Sequence, residues 1–453
     1  MRRRSKKGLY LFLALLAMVG AGGYYLYTSE TFERNPPKIE IAQKIYWNLK
    51  KPLTLILEDD SGIKEYRVLM SDGKQKETID MQKLPNPQKR IELKIEAPAS
   101  LEFENNKALL EIEVRDKSLW NYFLGNSAKK SVRIHIDRKK PDLFVVNNSY
   151  GIRKGGSALV IFHCQDENLK DFFIKTNFGK KFRAQPFFKD GYYIALIAWP
   201  ITQGRFRADI VAFDRAGNRS KAYIPFYLKD KKYRISKITL KESFLNGKIA
   251  ALAEEYPETA KMTPLQKFKF VNETLRERNE KLIHELSSAV PKERISHFSI
   301  RPFYPLKNAA VVASFGDHRY YYYNGKLVSE SYHMGLDLAS VRQAPVKLGN
   351  EGEVVFANFN GIYGNMPLIH HGLGLYTLYA HCSTLFVKKG DEVAKNETIA
   401  KTGTTGLALG DHLHFGVLVQ GIEVRPEEWM DRKWIRDNIT QVIEDAKKIV
   451  DSK

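Results

Sequence analysis

Five residues in three short segments could share one hydrolytic centre. They are His333 and Asp337 in His333-Met334-Gly335-Leu336-Asp337, His381 in Tyr379-Ala380-His381, and His412 and His414 in His412-Leu413-His414. The chain has 11 histidines, and those of the C-terminal third crowd between His318 and His414. Hydrolytic zinc takes three nitrogen or oxygen ligands and keeps one position open for water. Two histidines and one carboxylate supply that number, with Asp337 placed to be the carboxylate, and the bound water then yields hydroxide near neutral pH. Positions 412 and 414 lie in a strand-like stretch and point to one face, about 7 Å apart, so one can bind metal while the other works beside it. In a flat strand His333 and Asp337 would stand about 13 Å apart, so the chain must bend between them, and Gly335 permits it.

Together these segments resemble the lysostaphin/LytM-type family of zinc endopeptidases, which cut peptides in peptidoglycan. The family's H-x-x-x-D is matched by His333 and Asp337. Its H-x-H, within G-x-H-L-H-F, is matched by Gly410-Asp411-His412-Leu413-His414-Phe415. Between them, Gly364-Asn365-Met366-Pro367-Leu368-Ile369-His370-His371-Gly372 parallels G-N-x-V-x-I-x-H-G, and Tyr379-Ala380-His381 parallels Y-x-H. The motifs come in the correct order and cover about the last third of the chain. The resemblance implies Zn2+ held by His333, Asp337 and His414, with His381 and His412 orienting water and stabilising the developing oxyanion. Phe315-Gly316 with Arg319 resembles the mouth of the family's groove, so Arg319, and Asn365 from the middle motif, are expected at the substrate. Asp411 stands where proline is usual and Cys382 where leucine is common; neither change removes a ligand. Relatives that have lost these residues act only as activators of other wall hydrolases, whereas this chain keeps all five. His370 and His371 are expected to bind no metal, with one of them facing solvent.

The elements that must carry this centre follow from pattern. A chain of 453 residues is too long for one core. Its formal charge of +20 suits an anionic membrane or an acidic wall polymer. No basic stripe with interleaved aromatics is present, which speaks against nucleic acid. A basic tail at 1–7 precedes an apolar run at 8–28, long enough to span a bilayer with its basic end in the cytoplasm. A signal peptide cleaved near Val19-Gly20-Ala21 is the competing reading, but the apolar run continues past that point. Two cysteines, Cys164 and Cys382, exclude a disulfide framework and read as buried free thiols.

From 36 to 232 the chain reads as short strands with a weak repeat near 100 residues, and the Asp116…Gly125-Asn126 pattern returns as Asp214…Gly217-Asn218. That ending resembles bacterial immunoglobulin-like modules, so two tandem β-sandwiches are expected at 36–140 and 141–232. A helical connector at 233–299 follows, with a capping box and N-terminal proline at Thr263-Pro264-Leu265-Gln266. Residues 300–430 read as the β-rich metallopeptidase domain, including a hairpin that turns at Asn324-Gly325. An amphipathic helix at 431–453 closes a mostly β, multidomain chain.

The expected function is a zinc metalloendopeptidase of peptidoglycan, a single-pass protein of the bacterial inner membrane facing the periplasm or cell wall, with room for an envelope protein partner. The alternative is a non-catalytic envelope protein that binds wall peptides or activates a partner hydrolase.

Overall fold

The computed structural model describes residues 7–103 and 106–452. Apart from Lys7, the basic tail at 1–7 lies outside the described residues. Helix Lys7–Thr28 buries no side chain. With a mean hydropathy of 1.8 it is, among the described residues, the one helix long and apolar enough to cross a membrane.

Two compact units follow, and the structure is mostly β. The first holds 1–140 with the short segments 167–170 and 213–219. Its strands form one six-stranded sheet in the order Lys38–Glu40, Leu53–Ser71, Lys107–Asp116, Ser127–Ile136 and Ile45–Trp47, with Lys76–Ile95 also paired to Leu53–Ser71. Alternate residues Leu55 and Leu57, then Tyr66, Val68 and Met70, are buried and meet Leu110, Ile112 and Val114 in one core. This is the two-residue period of a half-buried sheet. The repeated Asp…Gly-Asn pattern makes the same clamp twice. Asp116 accepts from the Asn126 backbone N–H (2.8 Å) and side-chain amide (2.7 Å). Asp214 accepts from the same two groups of Asn218, both at 2.7 Å.

Between 142 and 223 two four-stranded sheets form, one centred on Leu169–Thr176 and Ala208–Asp214, the other on Ser157–Gln165 and Tyr192–Ala198. Ser157 through Cys164 are all buried, so this strand is covered on both faces.

The C-terminal region is built on β1 (Ile235–Thr239), β2 (Ala310–Ala313), β3 (Asp317–Tyr323), β4 (Lys326–His333), β5 (Leu336–Ala339), β6 (Leu375–Ala380) and β7 (Leu413–Val419). A three-stranded sheet runs β1-β3-β4, with β1 parallel to β3. An eight-stranded sheet begins β2-β5-β7-β6 and continues through Asn365–His370 and Gly352–Phe359. The β3–β4 hairpin turns at Asn324 (φ 48°) and Gly325 (φ 75°), the two positive φ values that a two-residue type I′ turn requires.

The segment expected as a helical connector departs from that reading in two ways. It opens with the strand β1, whose partner β3 lies some 80 residues onward and leaves no local signal. Its helices also do not stand apart. Leu245, Ile249, Phe268, Val271 and Leu275 share one buried core with Tyr321, Met366, Leu368 and Leu378 of the sheets. The capping box forms as its residues require: Thr263 Oγ1 accepts from Gln266 N, and Gln266 Oε1 accepts from Thr263 N. In the last helices Ile435, Ile439, Val442, Ile443, Ala446 and Val450 are buried on one side.

Candidate metal centre

Sheet register brings the five residues together. Asp337 on β5 is the direct partner of His414 on β7, and His414 is also the partner of Ala380, the residue before His381. His333 ends β4 in the smaller sheet, whereas Asp337 belongs to the larger one. The chain therefore changes sheets at Met334-Gly335, which removes the 13 Å separation of a flat strand. Gly335 serves this turn by its size. A Cβ there would sit 2.6 Å from His414 Nε2, so only glycine lets the ring lie against the chain. Its φ is not in the left-handed region, so conformational freedom is not what the site takes from it.

Three ligand-type atoms converge. His333 Nε2 lies 2.9 Å from Asp337 Oδ1 and 3.0 Å from His414 Nδ1, and His414 Nδ1 lies 2.9 Å from the same oxygen. His333 Nδ1 faces the Ser314 carbonyl at 2.9 Å. A carbonyl only accepts, so in the neutral ring Nδ1 carries the proton and Nε2 turns a lone pair toward the carboxylate. A lone pair and an anionic oxygen facing each other call for a cation between them. Tetrahedral zinc ligands at ~2.05 Å stand about 3.3 Å apart, close to the spacing seen. Two nitrogens and one oxygen are also the donor set of hydrolytic zinc, so these residues fit the metal. Burial acts to raise the Asp337 pKa, but the adjoining imidazoles of His333 and His414 outweigh it and hold the carboxylate well below its usual range. Burial lowers His414 to about 4.

His381 and His412 flank the trio. Their ring centroids are 4.8 Å apart, and His412 Nε2 lies 3.7 Å from Asp337 Oδ1. Each commits Nδ1–H to a backbone carbonyl, His381 to Thr405 (2.9 Å) and His412 to Gly410 (2.7 Å), which leaves Nε2 as an acceptor. His381 holds a left-handed backbone (φ 65°), uncommon for a non-glycine residue, at the point where the chain leaves β6. Burial pushes its pKa down to about 3.

All five residues line a cavity of about 860 Å³, as does Arg319, whose Nε donates to Asp317 at 3.2 Å. Asn365 is not in that lining. Its amide donates to the Cys382 carbonyl and its N–H to Thr405 Oγ1, so its bonds brace the backbone that carries His381. Asp411, in place of the expected proline, accepts from Thr402 Oγ1 and from Gln343 N–H and ties two loops together. His370 and His371 are both half-buried, so neither faces open solvent. His370 stacks on Tyr376, and His371 Nε2 meets Thr377 Oγ1 at 2.7 Å. Cys382 and Cys164 are buried free thiols, each pushed up to about 12 by burial.

Sequence reasoning missed two groups of residues. Tyr363 is buried edge-on against His414, with ring centroids 5.7 Å apart. A second wall of the cavity comes from 234–248, where no motif announces a role. Ile235-Ser236-Lys237-Ile238-Thr239 does not alternate cleanly between apolar and polar residues, so the sequence offered no clear strand signal there.

Residues 331–426 match the family model described as Peptidase family M23. The DD-carboxypeptidase/endopeptidase Mpg of Neisseria gonorrhoeae is 37% identical over 94 residues, 21% of this chain and 22% of that protein. The peptidoglycan DD-endopeptidase ShyA of Vibrio cholerae is 37% identical over 89 residues, 20% of this chain and 21% of its own. The chain thus spans between about a fifth and a third of the length of the curated relatives it matches. The catalytic domain of lysostaphin from Staphylococcus simulans is similar at 26% identity and a TM-score of 0.23, over 27% of this chain and 92% of that one.

Proposed function

We propose, from a C-terminal region that is a LytM-type Peptidase family M23 domain, that this chain is a zinc metalloendopeptidase hydrolysing amide bonds in the peptides of peptidoglycan. The observation that carries the proposal is the meeting of His333 Nε2, Asp337 Oδ1 and His414 Nδ1 within 3.0 Å at the wall of a cavity of about 860 Å³. Those three residues would hold the metal. When bound, zinc supplies Lewis-acid polarisation of a peptide carbonyl and makes water acidic enough to deprotonate near neutral pH. His381 and His412, with Nδ1–H anchored on carbonyls, keep Nε2 available to take a proton from water and to return it to the departing amine. Protonated, the same nitrogens donate to the developing oxyanion. Cys382 takes no part: it is buried and its Sγ–H donates to the Tyr379 carbonyl.

On this reading helix Lys7–Thr28 anchors the protein in the inner membrane, and 36–140 and 141–232 are immunoglobulin-like modules without chemistry of their own. Full-length protein in detergent, with and without His414→Ala, would be incubated with purified peptidoglycan and the fragments resolved by mass. New amine ends that require both zinc and His414 are expected. Silence from a protein that carries zinc would overturn the proposal in favour of an activator of another hydrolase.

A further inference from the structure

The wall of the groove supplied by 234–248 lies outside the residues that match the family, and its charge is unusual. Six cationic residues border the cavity, namely Arg234, Lys237, Lys241, Lys248, Arg276 and Arg319, against two carboxylates, Asp317 and Asp337. Three of the six are engaged. Lys248 Nζ donates to the Thr404 carbonyl, Arg276 to Asn272, and Arg319 to Asp317. Among the described residues, Arg234, Lys237 and Lys241 have no carboxylate within ion-pair distance.

Register separates these three. Ile235 pairs with His318 in the parallel β1–β3 ladder, which sets Arg234 opposite Asp317, and Asp317 in turn pairs with His333 on β4. Arg234, Asp317 and His333 therefore form one row across the small sheet, and paired residues on neighbouring strands share a face. The His318 N–H donating to the Arg234 carbonyl (2.9 Å) holds that end of β1 in place. Two strand spacings put Arg234 about 10 Å from His333 along the row, on the face of the candidate metal centre. Lys237 alternates to the opposite face. Asp317 makes its ion pair with Arg319 (Nε at 3.2 Å) and accepts from Ser236 Oγ (2.7 Å), and forms none with Arg234. An exposed guanidinium about 10 Å along the row from His333, facing a carboxylate already paired with Arg319, is built to pair with an anion on the ligand.

We infer that Arg234 is a specificity-determining residue that binds a free carboxylate on the substrate close to the bond cleaved, so the groove selects acidic peptides over neutral ones. This inference rests on the peptidase reading and deepens it. It predicts a role for a residue about 100 positions before the first metal-type ligand, in a segment with no catalytic motif.

The test uses full-length protein and two peptides that differ only in one group, a free carboxylate beside the scissile bond in one and its amide in the other. Wild type should prefer the acid by about tenfold in kcat/KM, the size expected for one charge-assisted hydrogen-bonded pair at a partly exposed site. In Arg234→Gln that preference should fall to near one, with the loss in KM for the acidic peptide. Arg234→Lys should recover part of it, which a merely structural role would not explain. Equal use of both peptides by wild type, or an undiminished preference in Arg234→Gln, overturns the inference while leaving the peptidase intact. If wild type cleaves neither peptide, the peptidase reading fails, and fluorescence titration of the two peptides decides this one separately. Tighter binding of the acid that depends on Arg234 sustains it, and equal binding ends it.

Discussion

Buried carboxylates in the two units have opposite surroundings. In the first unit Asp116 accepts from Asn126 N–H, the Asn126 amide and Ser118 N–H, and its neighbour Asp59 accepts from Ser61 and Gly62. Every partner is a donor and nearly every one is local in sequence, so although Glu33, Asp59 and Asp116 lie close together, both oxygens of Asp116 and Oδ1 of Asp59 are already held by N–H and O–H groups. In the C-terminal region Asp337 meets imidazoles drawn from positions 333 and 414, and His333 has its only proton turned away toward Ser314. A carboxylate ringed by donors is a brace, and one ringed by further acceptors is a ligand. Proximity of acidic or metal-type residues does not distinguish these; the direction of the hydrogen bonds does.

The contrast can be broken most severely at the metal. Chelation, or His414→Ala, should lower peptidase activity by about a thousandfold or more and release bound zinc, with zinc restoring the chelated wild type alone; metal analysis beside the cleavage assay checks this. His381→Ala should keep its zinc yet lose about 10²- to 10⁴-fold in kcat, because it removes proton handling and leaves the ligands in place.

Glu428 sharpens the comparison as an intermediate case. It accepts from Ser157 N–H at 3.2 Å, and Arg425 and Arg153 stand off at 3.9 Å. Burial, the largest influence, raises its pKa from 4.5 to about 7. A carboxyl raised on folding favours the protonated form, so its contribution is complete below about pH 4.5 and is lost as pH rises through about 7. That rise corresponds to roughly 3 kcal/mol. Glu428→Gln should therefore match wild type in acid and be the more stable protein above pH 8, as thermal melts across pH would show. The smallest effect belongs to the brace. Asp116→Ala leaves buried donors of Asn126 and Ser118 unpaired and should cost about 1–3 kcal/mol in the stability of its unit, with zinc content unchanged.

Local chemistry made part of this structure legible. The hairpin at Asn324-Gly325, the capping box at Thr263 and the buried stripe of the last helices each depend on residues within a few positions of one another. The spacing of His333, Asp337, His381, His412 and His414 likewise pointed to one centre. Other features depend on distant partners. Asn365 sits in a motif, yet its amide is spent on the Cys382 carbonyl, and no local pattern could show that.

Sequence by itself determined which side chains could bind a metal, which segments alternate as strands and where helices begin, because these follow from residue type and short-range periodicity. Only the tertiary structure decided that His333 and Asp337 meet by crossing between sheets, that Gly335 makes room for an imidazole, and that 235–239 joins the small sheet and brings Arg234 into the row of His333. Strand pairing sets those outcomes, and its hydrogen bonds join backbone groups that are alike in every residue, so the choice of partner is made by the shared core and not by any local code.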